Sequence, residues 1–135
     1  MEECVFCDIA NGKESAGIIY QDSTCLVILD KFPITRGHML VISKEHYNDI
    51  LAAPDDVAMH MFLITKKFSK RAIERLGAAG INIGSNIGAP AGQLIWHAHI
   101  HIIPRYPNMK RNFDFGRHGE IAKEDIAELV KLLKD

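Results

Sequence analysis

Trp96-His97-Ala98-His99-Ile100-His101-Ile102-Ile103 alternates imidazole with apolar side chains, a period of two residues. Side chains along a strand alternate between its two faces. The pattern therefore predicts a strand that sends His97, His99 and His101 to one side and Trp96, Ala98, Ile100 and Ile102 to the other. The apolar side is core. The other side is a row of imidazoles, and an unperturbed imidazole titrates near about pH 6.5, so each ring is available at neutral pH as nucleophile, proton carrier or metal ligand. A merely solvated strand face normally mixes Thr, Lys and Glu, and buried imidazoles each need a hydrogen-bond partner. Either chemistry by a histidine nucleophile or a three-histidine metal site accounts better for the row.

Outward from this strand, four more runs complete a sheet. Gly17-Ile18-Ile19-Tyr20 and Cys25-Leu26-Val27-Ile28-Leu29, separated by Gln21-Asp22-Ser23-Thr24, predict a hairpin. Pro33 and Gly37 precede a third run, Met39-Leu40-Val41-Ile42, and Ile81-Asn82-Ile83 predicts a fourth strand before the fifth, which runs through His97 to Ile103. Val57, Met61, Ile64, Phe68 and Ala72 recur at helical steps in a long helix from Pro54 to Leu76, beside a second apolar row of Ala58, Phe62, Ile73 and Leu76. Ile126, Leu129, Val130 and Leu133 mark a C-terminal helix, and Val5, Phe6 and Ile9 a short helical segment ended by Asn11-Gly12. The expectation is one α+β domain over residues 1–135, with an antiparallel sheet of about five strands and its helices on one face.

Composition narrows the function classes. The 135 residues are 47% hydrophobic and 24% charged, an ordinary globular mixture. Sixteen Lys plus Arg against 17 Asp plus Glu leave a formal net charge of -1, which excludes nucleic acid as a bulk electrostatic partner. The longest apolar runs stop far short of the roughly 20 residues that cross a bilayer, and Met1-Glu2-Glu3-Cys4 lacks the basic and apolar regions of a signal peptide. A cytoplasmic protein without a membrane partner is expected. Cys4-x-x-Cys7 in a reducing compartment reads as a metal or redox pair, and one pair leaves a tetrahedral zinc site two ligands short. Two reduced, packed thiols are the alternative. Cys25, inside an apolar strand, reads as core.

These residues resemble the histidine triad (HIT) family. His97-Ala98-His99-Ile100-His101-Ile102-Ile103 follows its signature, and the similarity extends through Phe6, Ile9, Leu29-Asp30, Gly37-His38, Asn86, Gly92-Gln93 and Pro104-Arg105. The resemblance implies the family fold and a nucleoside-phosphate hydrolase or nucleotidyl transferase acting on dinucleoside polyphosphates or nucleoside phosphoramidates. Chemically, splitting a phosphorus–oxygen or phosphorus–nitrogen bond in two displacements requires a neutral imidazole nucleophile, and the central His99 is the best placed. The resemblance makes His99 the nucleotidylated residue, with His101 helping to hold the phosphate oxygens and His38 supporting the triad from a neighbouring strand. It also implies that Asp30 binds the ribose hydroxyls, that Phe6, Ile9 and Ile28 line a purine base pocket, and that Asn86 braces the phosphate site. On periodicity alone Phe6, Ile9 and Ile28 are core, and Asp30 is a turn residue.

The glycine-rich loop from Gly88 to Gln93 is expected to face the α-phosphate, with backbone N–H groups forming an anion nest and Gln93 adding an amide donor; a plain connection between strands is the alternative. This chain carries Leu94 where many family members have a Ser or Thr whose hydroxyl reaches the phosphate or leaving group. Branches of the family resemble it in holding one structural zinc ion, here implied at Cys4, Cys7, His46 and His97. Open sheet edges and the long helix's second apolar row predict a homodimer with that row in the interface, and the resemblance adds that the two sheets join and that the stretch from Arg105 to His118 lies near the interface. His60 and His118 receive no role. Two other functions compete: a nucleotide-binding regulatory module with weak turnover, and a metallohydrolase using the histidine cluster.

Overall fold

The structure, a computed structural model, describes residues 3–107, 109 and 120–135. In chain order these form helix α1 (Val5–Ala10), strands β1 (Ile18–Gln21), β2 (Cys25–Leu29) and β3 (Met39–Ser43), helix α2 (Asp55–Leu76), strand β4 (Gly80–Gly84), a single 3-10 turn (Ala89–Ala91), strand β5 (His99–Arg105) and helix α3 (Lys123–Leu133). The strands make one five-stranded antiparallel sheet in the order β1-β2-β3-β5-β4. This is the expected α+β architecture.

Strands β2 and β3 are apolar at nearly every position because both faces of the sheet are covered there. One face, carrying Val27, Met39, Val41, Ile100 and Ile102, packs on Met61, Ile64, Phe68 and Ala72 of α2 and on Leu129 and Leu133 of α3. Arg71 and Arg75 of α2 donate to the carbonyls of Leu133 and Lys134 at 3.0 and 2.8 Å, satisfying the open end of α3. The other face carries Leu26, Ile28, Leu40 and Ile42 under Phe6 and Ile9 of α1. Thus the helices do not all share one face: α2 and α3 do, and α1 covers the opposite side.

Register places the histidines on the α1 side, with Leu40 opposite His101 and Ile42 opposite His99. The predicted strand from His97 begins instead at His99. Nε2 of His97 donates to the carbonyl of Ser43 at 2.6 Å, so an imidazole takes the carbonyl that a regular ladder would use, and the main chain departs from the strand. Trp96, expected in the core, is accordingly 49% exposed. On α2 Met61, Ile64, Phe68 and Ala72 of the first apolar row are buried and Val57 partly so, whereas Phe62 and Ile73 of the second face outward. His60 ties α2 to the hairpin: its Nε2 lies 2.6 Å from Oδ2 of Asp22, whose Oδ1 accepts the N–H groups of Thr24 and Cys25. Burial works against the charge of Asp22, but these hydrogen bonds hold its carboxyl well below the usual range. Among the described residues no helix is long and apolar enough to cross a membrane.

Candidate active site and metal centre

The α1 side of the sheet opens into a cleft of about 700 Å³. Phe6, Ile9 and Ile28 supply an apolar wall, Asp30, Asn86 and Gly92 stand along it, and His99 and His101 reach it from β5. Phe6 sets its ring edge-on to that of His99, with centroids 5.2 Å apart, and the rings of His99 and His101 are likewise 5.2 Å apart.

Hydrogen bonds fix where the protons lie on these rings. Nδ1 of His99 is 2.6 Å from the carbonyl of His97, so Nδ1 carries the proton and Nε2 the free electron pair. The hydroxyl of Ser85 donates to the carbonyl of His99 itself at 2.7 Å, steadying the strand beneath the ring. The N–H of Ile34 donates to Nδ1 of His38 at 3.0 Å, which puts the proton of His38 on Nε2. That atom is 3.0 Å from Nδ1 of His101, which therefore accepts, and the proton of neutral His101 is left on Nε2. Oδ2 of Asp30 stands 3.5 Å from Nε2 of His38, while its Oδ1 accepts the N–H of Phe32 at 2.8 Å. Burial lowers the affinity of His99 for a second proton, with the His97 carbonyl opposing in part. Burial and the neighbouring His99 push His101 down to about 4. Both are neutral imidazoles at pH 7.

The glycine-rich loop behaves differently from expectation. Gln93 is buried, its Oε1 accepting from the N–H of Gly88 at 2.9 Å and its Nε2 donating to the carbonyls of Asn48 and Ile95 at 2.7 and 3.0 Å. Its amide is committed to bracing the loop, and it does not line the cleft. The N–H groups of Ala91, Gly92 and Gln93 close onto carbonyls within the turn and are not turned toward an anion. Gly92 does reach the cleft, held at φ 92° where a side chain would be strained, and Nδ2 of Asn86 donates to its carbonyl at 3.5 Å. Leu94 follows on the cleft wall, 63% exposed.

Beside the cleft, Cys4, Cys7, His46 and His97 bring one ligand atom each to within 4.8 Å of one another. Sγ of Cys4 is 3.3 Å from Nδ1 of His97, and Sγ of Cys7 is 3.3 Å from Nδ1 of His46 and 3.5 Å from Nδ1 of His97. Because Nε2 of His97 donates to Ser43, its Nδ1 offers an electron pair to the thiols. Two thiols and two such imidazoles in this space fit tetrahedral zinc. Burial and the Cys4 thiol push Cys7 up to about 11, and a dication is the group that would hold both sulfurs as thiolates. The three triad histidines do not converge on one point: among the described residues His97 groups with the cysteines, His101 with Asp30 and His38, and His99 with neither.

Sequence alone does not reveal the braces Ser43, Asn48 and Ser85, each of which acts on a residue remote in the chain, or Ile34, which acts on nearby His38 through a backbone N–H that any residue but proline carries. His118 and most of the stretch from Arg105 to His118 lie outside the described residues; Arg105 itself donates to Oδ1 of Asn82 at 2.7 Å, bracing β4.

The HIT domain family model matches residues 11–108. Adenylylsulfatase HINT3 of Arabidopsis thaliana is 41% identical over 134 residues, covering 98% of this chain and 68% of that protein. Among solved structures, a hypothetical histidine triad nucleotide-binding protein from Sulfolobus tokodaii superposes with a TM-score of 0.88 at 34% identity, covering 96% of this chain and 89% of that one. A Zn-bound histidine triad family protein from Mycobacterium smegmatis gives 0.85 at 37% identity, covering 97% and 93%.

Proposed function

The chain belongs to the histidine triad (HIT) family, and from that premise we propose that it is a nucleoside-phosphate hydrolase or nucleotidyl transferase working through a nucleotidyl intermediate on His99. The observation that carries this reading is the 2.6 Å contact between Nδ1 of His99 and the carbonyl of His97, because it leaves the electron pair of Nε2 for attack.

The substrate is a purine nucleotide bearing a leaving group on its α-phosphorus. The base lies against Phe6, Ile9 and Ile28, and Asp30 is aligned for the ribose hydroxyls. In the first displacement Nε2 forms a bond to phosphorus while the bond to the leaving group breaks, its electron pair going with that group, which takes up a proton from solvent. The proton on Nδ1 stays against the His97 carbonyl, whose dipole stabilises the positive charge that the ring acquires. His101 presents its Nε2 proton to a phosphate oxygen, oriented by His38. In the second displacement water attacks phosphorus and releases a proton to solvent, the electron pair of the broken bond returns to Nε2, and nucleoside monophosphate leaves. Transfer to another acceptor follows the same path with that acceptor in place of water. The reaction catalysed by the Arabidopsis relative, named as an adenylylsulfatase, supports chemistry at an adenylyl phosphorus.

Cys4, Cys7, His46 and His97 would hold a structural zinc ion, which when bound cross-links α1 to the sheet. Thiolate ligation suits a reducing compartment, the cytosol. The exposed row on α2, with Phe62 57% and Leu63 61% exposed, together with the outer edge of β4, is read as the interface of a homodimer.

His99→Asn tests the reading against that of a regulatory binding module. Turnover of an adenosine phosphoramidate or a diadenosine polyphosphate is expected to fall about a thousandfold or more, while calorimetric binding of adenosine monophosphate stays within about threefold of the parent. Turnover that survives the substitution in a folded protein contradicts the nucleophile.

A further inference from the structure

Helix α1 serves two sites at once. With only six residues, Val5–Ala10, it is too short to hold its shape alone in water. At its start Sγ of Cys4 accepts the N–H of Cys7 at 3.4 Å and faces His97, and on its first turn Sγ of Cys7 faces His46. Between the two cysteines, Phe6 sets its ring against His97 at 5.7 Å and against His99 at 5.2 Å, and Ile9 one turn later lines the same cleft. The sheet closes the circuit through one residue. His97 turns Nδ1 toward both sulfurs and holds the Nδ1 proton of His99 with its own carbonyl at 2.6 Å.

A metal ion in that site therefore fixes the helix that walls the cleft and the residue that orients the nucleophile. We infer that the four-ligand site and the cleft are energetically coupled: metal held by Cys4, Cys7, His46 and His97 tightens the cleft for a nucleoside monophosphate, the nucleotide tightens the site for metal, and His97 is the positioning residue for His99. The inference rests on the reading of the cleft as a nucleotide site. Ordering α1 once serves both ligands, so whichever binds first relieves the second of that ordering. Coupling of this kind is reciprocal, each ligand changing the affinity of the other by the same factor, typically about 5 to 150-fold.

The experiment reads metal rather than turnover. Zinc-loaded protein is titrated with a chelator of known affinity, with and without saturating adenosine monophosphate, and the released zinc is followed by an indicator. Adenosine monophosphate is expected to tighten zinc about tenfold, and chelated protein to bind adenosine monophosphate more weakly by the same factor. Amide exchange after chelation should quicken over residues 4–11 while β2, β3 and α2 stay protected. Ring nitrogen resonances of His99 should show a proton fixed on Nδ1 in the zinc form and a mixture of tautomers without zinc. Equal zinc release in protein that binds the nucleotide overturns the coupling alone. Protein that is zinc-loaded yet binds no nucleotide overturns the reading of the cleft with it. Exchange that quickens uniformly across the sheet, or His99 resonances indifferent to zinc, overturns the local path through α1 and His97.

Discussion

The N–H of Ile34 and the carbonyl of His97, two backbone groups, assign the protons on three imidazoles. Burial then keeps His99 and His101 uncharged, and that has a consequence for stability. In the unfolded chain an imidazole takes up a proton near about pH 6.5, whereas folded His101 resists protonation down to about 4. Between those values the unfolded state binds more protons, so this contribution to stability is present above pH 6.5 and is lost as the pH falls toward 4. The urea midpoint is expected to be flat from about pH 7 to 8 and to decline steadily from about 6.5 to 4.5, with His101→Gln flattening part of the decline. A midpoint that rises on acidification contradicts the neutral pair. The triad itself was legible in the alternation of His and apolar residues. The proton positions were not, because Ile34 contributes a main-chain atom that any residue carries, and Gln93, whose side chain suggested a donor to phosphate, is turned inward by Gly88, Asn48 and Ile95.

At the scale of elements, the turn before β3 positions His38. Gly37 lies there at φ 83°, and a Cβ at that position would overlap the side chain of Leu76. Gly37→Ala is expected to cost about 1–3 kcal/mol in chemical denaturation, combining left-handed backbone strain with a clash against the end of α2. A neutral substitution would mean that the turn does not hold His38 as described. The strands and α2 could be read from apolar periodicity because burial imposes it: β2 and β3 are covered on both faces, and α2 on the row of Met61, Ile64, Phe68 and Ala72. The start of β5 could not, because what ends the ladder is a hydrogen bond between His97 and Ser43, 54 residues apart. For the same reason α1 could be recognised as helical but not assigned to its face of the sheet, which depends on Phe6 meeting His97 and His99.

For the whole molecule, α2 turns Met59, Phe62, Leu63 and Ile73 outward, all exposed, and Ile83 of the edge strand β4 is also 42% exposed. Exposed apolar side chains of this size are what the proposed homodimer would cover. Light scattering at micromolar concentration is expected to give a dimer mass, twice the 15.1 kDa of the chain, and Phe62→Glu to shift it toward the monomer with the melting temperature of the isolated fold kept. Met61→Glu would not serve, since Met61 is fully buried in the core and a charge there unfolds the domain. A monomer at micromolar concentration, or a dimer indifferent to Phe62→Glu, places the interface elsewhere or removes it.

In the proposed reaction, phosphorus passes through a bond to His99. Rapid-quench single turnover with an excess of enzyme over a substrate labelled at the α-phosphorus tests it directly. An acid-labile, base-stable protein adduct is expected that forms and decays at rates consistent with turnover, that peptide mapping assigns to His99, and that is missing in His99→Asn. Product formed in one step without any adduct, or an adduct mapped to another residue, would contradict it.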